Sequence, residues 1–200
     1  MMRMQDALAA ATLGVDAIGL VLTPRSKRCL APARAREIRV ALPPFVSVVT
    51  LFNDDDPAFV AEAIATVAPD LVQFHGSEKP ADCVRYGRPY LKSIAMGGDG
   101  ADLGAVVAAH PQAAGFLLDS HAAGGQGGSG NTFDWAKIPK EFPRPLVLAG
   151  GLTPENVAAA IRLVHPFAVD LASGIESAPG IKDLDKMRRF VAAVRECDKV

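Results

Sequence analysis

Two periods of apolar and polar positions alternate along this chain. Short runs of near-continuous apolar residues fall at DAIGLVL (16–22), VSVVTLF (46–52), DLVQFHG (70–76), YLKSIAM (90–96), AAGFLLDS (113–120), PLVLAGG (145–151) and FAVDLASG (167–174). Runs of this length, rich in Val, Ile, Leu and Phe and bounded by Gly, Pro and Asp, predict strands buried on both faces. Between them lie stretches with helical spacing at 31–42, 56–69, 79–87, 100–110, near Trp135, and at 153–164 and 183–196. Asp56 reads as an N-cap with Pro57 at the first helical position, and Thr153 with Pro154 repeats that signature, Asn156 following in the first turn.

The chain opens on MMRMQDALAAA, a helix with no strand before it. The pattern therefore holds seven strands and eight helical segments in strict alternation. Doubly buried strands separated by helices predict a parallel sheet covered by helices. The expected fold is an α/β (β/α)8 TIM barrel missing its first strand, in one domain over residues 1–200. An open, doubly wound sheet is the competing architecture, because a barrel lacking one strand leaves unpaired N–H and C=O groups along two edges.

Composition removes several function classes. A formal net charge of -1 offers no electrostatic footprint for nucleic acid or an anionic membrane. No apolar run approaches the roughly 20 residues that span a bilayer, and the N-terminus has no signal-peptide pattern. Cys29, Cys83 and Cys197 have no metal-ligand spacing and predict reduced thiols in a cytoplasmic protein.

In a parallel barrel the chemistry sits where strands end. LAGGLTPENV puts Gly150 and Gly151 between a strand and a helix N-terminus, where backbone N–H groups hold phosphate. DLASGIES puts Ser173 and Gly174 after the last strand, and these two successive loops are the usual phosphate site of such barrels. Tight turns alone would also use these glycines. Asp119 ends its strand and fits a general acid or base, or else a solvated loop carboxylate. Gln73 and His75 alternate along one strand and so face the same way, although a lone histidine is more often structural. Arg25, Lys27 and Arg28 follow a strand, and an arginine fork there suits a substrate carboxylate; a solvated basic loop has the same spacing. Gly124–Gly130 reads as an active-site loop or a plain connector.

Together, DALAAATLGVDAIGLVL, SKRCLAP, LVQFHGSE, FLLDS, GGSGNTFDW, LAGGLTPENVAAAI and VDLASGIESAPGIKD resemble the phosphoribosylanthranilate isomerases of tryptophan biosynthesis, in family order from about Gln5 to the last helix. The resemblance implies an Amadori rearrangement of N-(5-phosphoribosyl)anthranilate to 1-(2-carboxyphenylamino)-1-deoxyribulose 5-phosphate, without metal or organic cofactor. It implies Asp119 as general acid and Gly150, Gly151, Ser173 and Gly174 as the phosphate loops. Arg28 matches the arginine at the anthranilate carboxylate, and Gln73 and His75 join the substrate-binding set. The family usually has Pro at Lys27 and an aromatic or basic residue at Cys29, so this loop departs a little. The implied partner is a small phosphosugar, the implied state a monomer or homodimer.

Family members begin with a strand ending in Cys-Gly, whose cysteine is the general base. This chain starts just after that point, which leads to the expectation that Met1 is an internal methionine. The alternative is a catalytically impaired remnant that binds a phosphorylated ligand or a partner domain. Cys29 is the only other cysteine on a neighbouring strand-to-helix loop, and to act as base it needs a lowered pKa, which Arg28 beside it could supply. A third reading is a different phosphosugar barrel, an epimerase or the next synthase of the pathway; that synthase would need lysines and glutamates on early strands, and Lys92 is the one clear strand lysine.

Overall fold

The computed structural model describes residues 1–97, 102–122 and 133–197. Seven strands form one parallel sheet: β1 (Ala17–Val21), β2 (Ser47–Phe52), β3 (Leu71–Phe74), β4 (Tyr90–Gly97), β5 (Gly115–Ala122), β6 (Leu146–Leu148) and β7 (Ala168–Val169). Their spatial order is their chain order, β1 to β7. A doubly wound sheet reverses its order at a switch point. This one never reverses, which is the winding of a β/α barrel. Among the described residues β1 and β7 are its two edges, so the barrel is incomplete.

Helices α1 (Met4–Thr12), α2 (Pro32–Ala41), α3 (Pro57–Val67), α4 (Pro80–Val84), α5 (Leu103–Ala109), α6 (Val157–Val164) and α7 (Leu184–Cys197) join the strands, with single 3-10 turns at Trp135–Lys137 and Ser173–Ile175. The cap expected at α3 is present: the Asp56 carboxylate accepts from the N–H groups of Ala58 (2.9 Å) and Phe59 (3.2 Å), and Pro57 opens the helix. These bonds satisfy donors that have no partner inside the helix.

Register sorts the side chains by face. Thr50 pairs with Val72, Phe74 with Lys92, Ile94 with Leu118, and Leu118 with Leu148. Alternation then puts Ile18, Leu20, Val48, Phe52, Phe116 and Leu118 on one face, where they join Ala7, Ile38, Val60, Ala160 and Phe190 of the helices in one buried core. Each buried Val, Leu, Ile or Phe among them contributes roughly 1.5–3 kcal/mol by leaving water. The other, concave face carries Gln73, Ser93, Leu117 and Asp119. His75 and Asp170 extend it, because their N–H groups continue the ladder to Phe52 O and Leu148 O, both at 2.9 Å.

Lys92 lies on the helix-facing side and bonds Phe74 O (3.4 Å), Gly76 O and the Glu78 carboxylate (2.9 Å). The one lysine that the sequence placed on a strand is therefore absent from the concave face, which removes the synthase reading. Two element boundaries differ from expectation. The helix expected from Thr153 begins at Val157, because the Asn156 side chain first closes a turn, accepting from Thr153 N at 2.8 Å and donating to Gly151 O at 2.9 Å. The last strand, expected over 167–174, is only Ala168–Val169: as an edge strand it pairs with β6 alone, and Ser173–Ile175 winds into a 3-10 turn. A small hairpin, β8 (Glu176–Ala178) with β9 (Ile181–Lys182), follows where no strands were expected.

Ahead of α1, Arg3 is extended and Met1 reaches the β1 edge. The backbone nitrogen of Met1 donates to Gly19 O, Met2 packs on Gly180, and Arg3 forks onto Asp6 at 2.8 and 2.7 Å. The buried Asp6 also accepts from Lys182 N at 3.2 Å, which ties α1 to the hairpin.

Candidate active site

Asp119 lies near the C-terminal end of β5 on the concave face and is only 7% exposed. The next residue, Ser120, touches the loop after β6. A Cβ at Gly150 would lie 2.3 Å from Ser120 N, and Gly150 and Gly151 have φ of +81° and +66°. Only glycine adopts such angles without strain. Gly174 in turn lies against the same loop, where a Cβ would meet Leu152 O at 1.9 Å. Asp119, Gly150, Gly151 and Gly174, with Ser173 beside it, therefore form one contiguous strip across the ends of β5, β6 and β7. Asn156 braces its centre through Gly151 O and Thr153 N.

Gln73 and His75 lie two strands away and touch each other, Gln73 Nε2 against His75 Nε2. Arg28 comes from the loop between β1 and α2 and crosses the open end of the sheet. Its Nε and Nη2 bind both carboxylate oxygens of Glu176 at 2.8 and 2.7 Å. Lys182 Nζ meets the same carboxylate at 3.1 Å and also donates to Ala172 O at 2.6 Å. Burial alone would raise the Glu176 pKa, but hydrogen bonds and charge from Arg28 and Lys182 outweigh it and carry it down to about 2. For Lys182 burial wins, lowering its pKa against the pull of Glu176, because Arg28 opposes a second cation nearby. Gly124–Gly130 lies outside the described residues.

The cysteines are not arranged as bases. Cys29 donates its thiol to Leu22 O at 3.2 Å, and burial followed by the charge of Asp55 raises its pKa. Arg28, which could have lowered that pKa, is engaged with Glu176 instead. Burial pushes Cys83 up to about 12.

Asp170 directly follows β7, and Asp119 lies in the C-terminal half of β5. The surrounding protein, and next the charge of Asp119, raise the Asp170 pKa even though the side chain reaches solvent at the sheet edge. The sequence reading passed over Asp170, Glu176 and Lys182. The strand-end rule that singled out Asp119 applies equally to Asp170. Glu176 and Lys182 carried no such signal, because their pairing depends on the unexpected hairpin.

Fold and winding define the class: a singly wound parallel β/α protein of the TIM-barrel kind, with its polar residues gathered at the strand ends. Residues 1–193 match the family described as N-(5'phosphoribosyl)anthranilate (PRA) isomerase. The N-(5'-phosphoribosyl)anthranilate isomerase of Stenotrophomonas maltophilia is 49% identical over 199 residues, spanning 99% of this chain and 91% of that protein. The crystal structure of phosphoribosyl anthranilate isomerase from Thermus thermophilus superposes with a TM-score of 0.86 at 37% identity, over 98% of this chain and 96% of that one. A second crystal structure, of a phosphoribosyl anthranilate isomerase in complex with reduced 1-(o-carboxyphenylamino)-1-deoxyribulose 5-phosphate, gives 0.83 at 35% identity, over 98% and 95% of the two chains. This chain belongs to the N-(5'-phosphoribosyl)anthranilate isomerase family, and is accordingly an isomerase.

Proposed function

We propose that the protein converts N-(5-phosphoribosyl)anthranilate to 1-(2-carboxyphenylamino)-1-deoxyribulose 5-phosphate in tryptophan biosynthesis, with the whole of residues 1–200 acting as one domain. Family membership supports the reaction. The observation that carries the site is the continuous strip from Asp119 through Gly150 and Gly151 to Gly174. It sets a carboxyl group beside two glycine loops that can receive a phosphate dianion through backbone N–H groups.

In this reading Gly150, Gly151, Ser173 and Gly174 bind the 5-phosphate, Arg28 binds the anthranilate carboxylate, and Gln73 and His75 line the substrate between them. Asp119 is the general acid. It protonates the ribose ring oxygen as the C1–O bond breaks and the anilino nitrogen lone pair forms an iminium at C1. A base then takes the C2 proton, giving an enolamine that becomes the ketose when a proton is delivered to C1 and the C2 hydroxyl gives up its own. C2 is oxidised as C1 is reduced, so the step needs no external redox partner and no metal or organic cofactor is proposed. Two like charges resist simultaneous ionisation, and the charge of Asp119 is one of the causes that raise the Asp170 pKa, after burial.

A cytoplasmic location belongs to the same proposal and rests on three free thiols, Cys29, Cys83 and Cys197. The proposed state is a monomer or homodimer with no nucleic-acid or membrane partner; among the described residues no helix is long and apolar enough to cross a membrane. The fluorescence of phosphoribosylanthranilate reports its consumption. Steady turnover by the full-length protein, abolished in Asp119→Ala, is the expected result. Absence of turnover by a folded full-length protein would overturn the proposal.

A further inference from the structure

Arg28 is held, not merely present. Both bonds to Glu176 use its Nε–Nη2 edge, at 2.8 and 2.7 Å. The guanidinium is planar and rigid, so fixing that edge fixes the direction of the opposite Nη1 edge. Glu176 is itself anchored. Its side chain is 6% exposed, Lys182 Nζ contacts it at 3.1 Å, and Lys186 Nζ holds its backbone carbonyl at 2.9 Å. Lys182 also binds Ala172 O at 2.6 Å, one residue before the proposed phosphate residue Ser173.

The cluster of Arg28, Glu176 and Lys182 thus joins the loop after β1 to the loop after β7. Arg28 and Lys182 bring two basic groups to the one carboxylate of Glu176, which suits a ligand carboxylate. A carboxylate that needed Arg28 only as a point charge would not require its fork to be spent on a buried partner.

We propose that Glu176 is a positioning residue, which aims the free edge of Arg28 at the substrate carboxylate and fixes its place relative to the phosphate loop. The inference rests on the isomerase reading above. It assigns to Glu176 a task in recognising the aromatic half of the substrate and none in proton transfer. A carboxylate held at a pKa of about 2 stays ionised throughout any working pH range, as a permanent clamp requires.

The test compares two substrates on the full-length enzyme: N-(5-phosphoribosyl)anthranilate, and N-(5-phosphoribosyl)aniline, which lacks the carboxylate. Glu176→Gln keeps the shape and removes the charge. The expected result is a KM for the anthranilate compound raised about 10- to 100-fold, the scale of one charge-assisted hydrogen bond. Its kcat changes far less, and kcat/KM for the aniline compound stays near the parent value. Glu176→Asp, which restores the charge, recovers part of the loss and serves as the reporting variant if Glu176→Gln does not fold. Equal losses on both substrates, no loss on either, or failure of both variants to fold would overturn the positioning role and leave Glu176 either structural or dispensable. A folded parent that turns over neither compound instead removes the isomerase reading, and the inference with it.

Discussion

Leu118 and Asp119 are neighbours in the chain and opposites in the fold. Leu118 faces the helices, is 0% exposed, and belongs to a core that runs unbroken from α1 to α7. Asp119 faces the concave side among Gln73, Ser93 and Asp170. The outer face is apolar and could be repacked with other residues of similar volume. The inner face keeps Gln73, Ser93 and Asp119 buried, which a stability-driven design avoids. Such a division shows where the sheet spends stability on function, and it separates residues whose loss should unfold the protein from those whose loss should only stop it.

The largest effect expected on the inner face is that of Asp119→Asn. Turnover of phosphoribosylanthranilate should fall about 10²–10⁴-fold, the usual loss of a general acid, while the melting temperature holds or rises because one of two like charges is gone. On the outer face, Leu118→Ala should cost about 2–5 kcal/mol in urea unfolding, through lost burial and the cavity left behind. The surviving folded fraction should keep its kcat.

A smaller effect marks the join between faces. The folded-state pKa of Glu176 is depressed from 4.5 to about 2. Its stabilisation is therefore fully present above about pH 4.5 and is lost as the pH falls through about 2, a change on the order of 3 kcal/mol. Acid titration of stability should show a drop in that window which is missing in Glu176→Gln. The smallest effect expected is for Asn156→Ala. It removes the bonds to Gly151 O and Thr153 N and should cost about 1 kcal/mol. Because these bonds shape the proposed phosphate loop, KM for the substrate should rise more than kcat falls.

The outer face was legible in the sequence because its signal is local. Runs such as VSVVTLF and PLVLAGG name their own strands, and Asp56-Pro57 names its own helix start. Gly150 was equally legible as a loop residue, and its close approach to Ser120 gives a reason why a side chain is excluded there. What the sequence hid depends on pairing over distance. Arg28 read as a fork for a substrate carboxylate or as part of a solvated basic loop, and nothing local pointed to Glu176, which the hairpin brings to it across 148 positions. Arg28 beside Cys29 offered a charge that could lower its pKa, but the guanidinium turns to Glu176, and the thiol turns to Leu22 O. The length of β7 was misread because an edge strand has one partner to extend it, while the apolar pattern continues regardless.

The most direct test of the division measures kcat and melting temperature together on Asp119→Asn and Leu118→Ala in the full-length protein. The expected result is a crossed pattern: Asp119→Asn loses at least about 100-fold in kcat at an unchanged melting temperature, and Leu118→Ala loses several degrees with kcat retained. Full turnover by Asp119→Asn, or unfolding by it alone, would contradict the assignment of the concave face to catalysis.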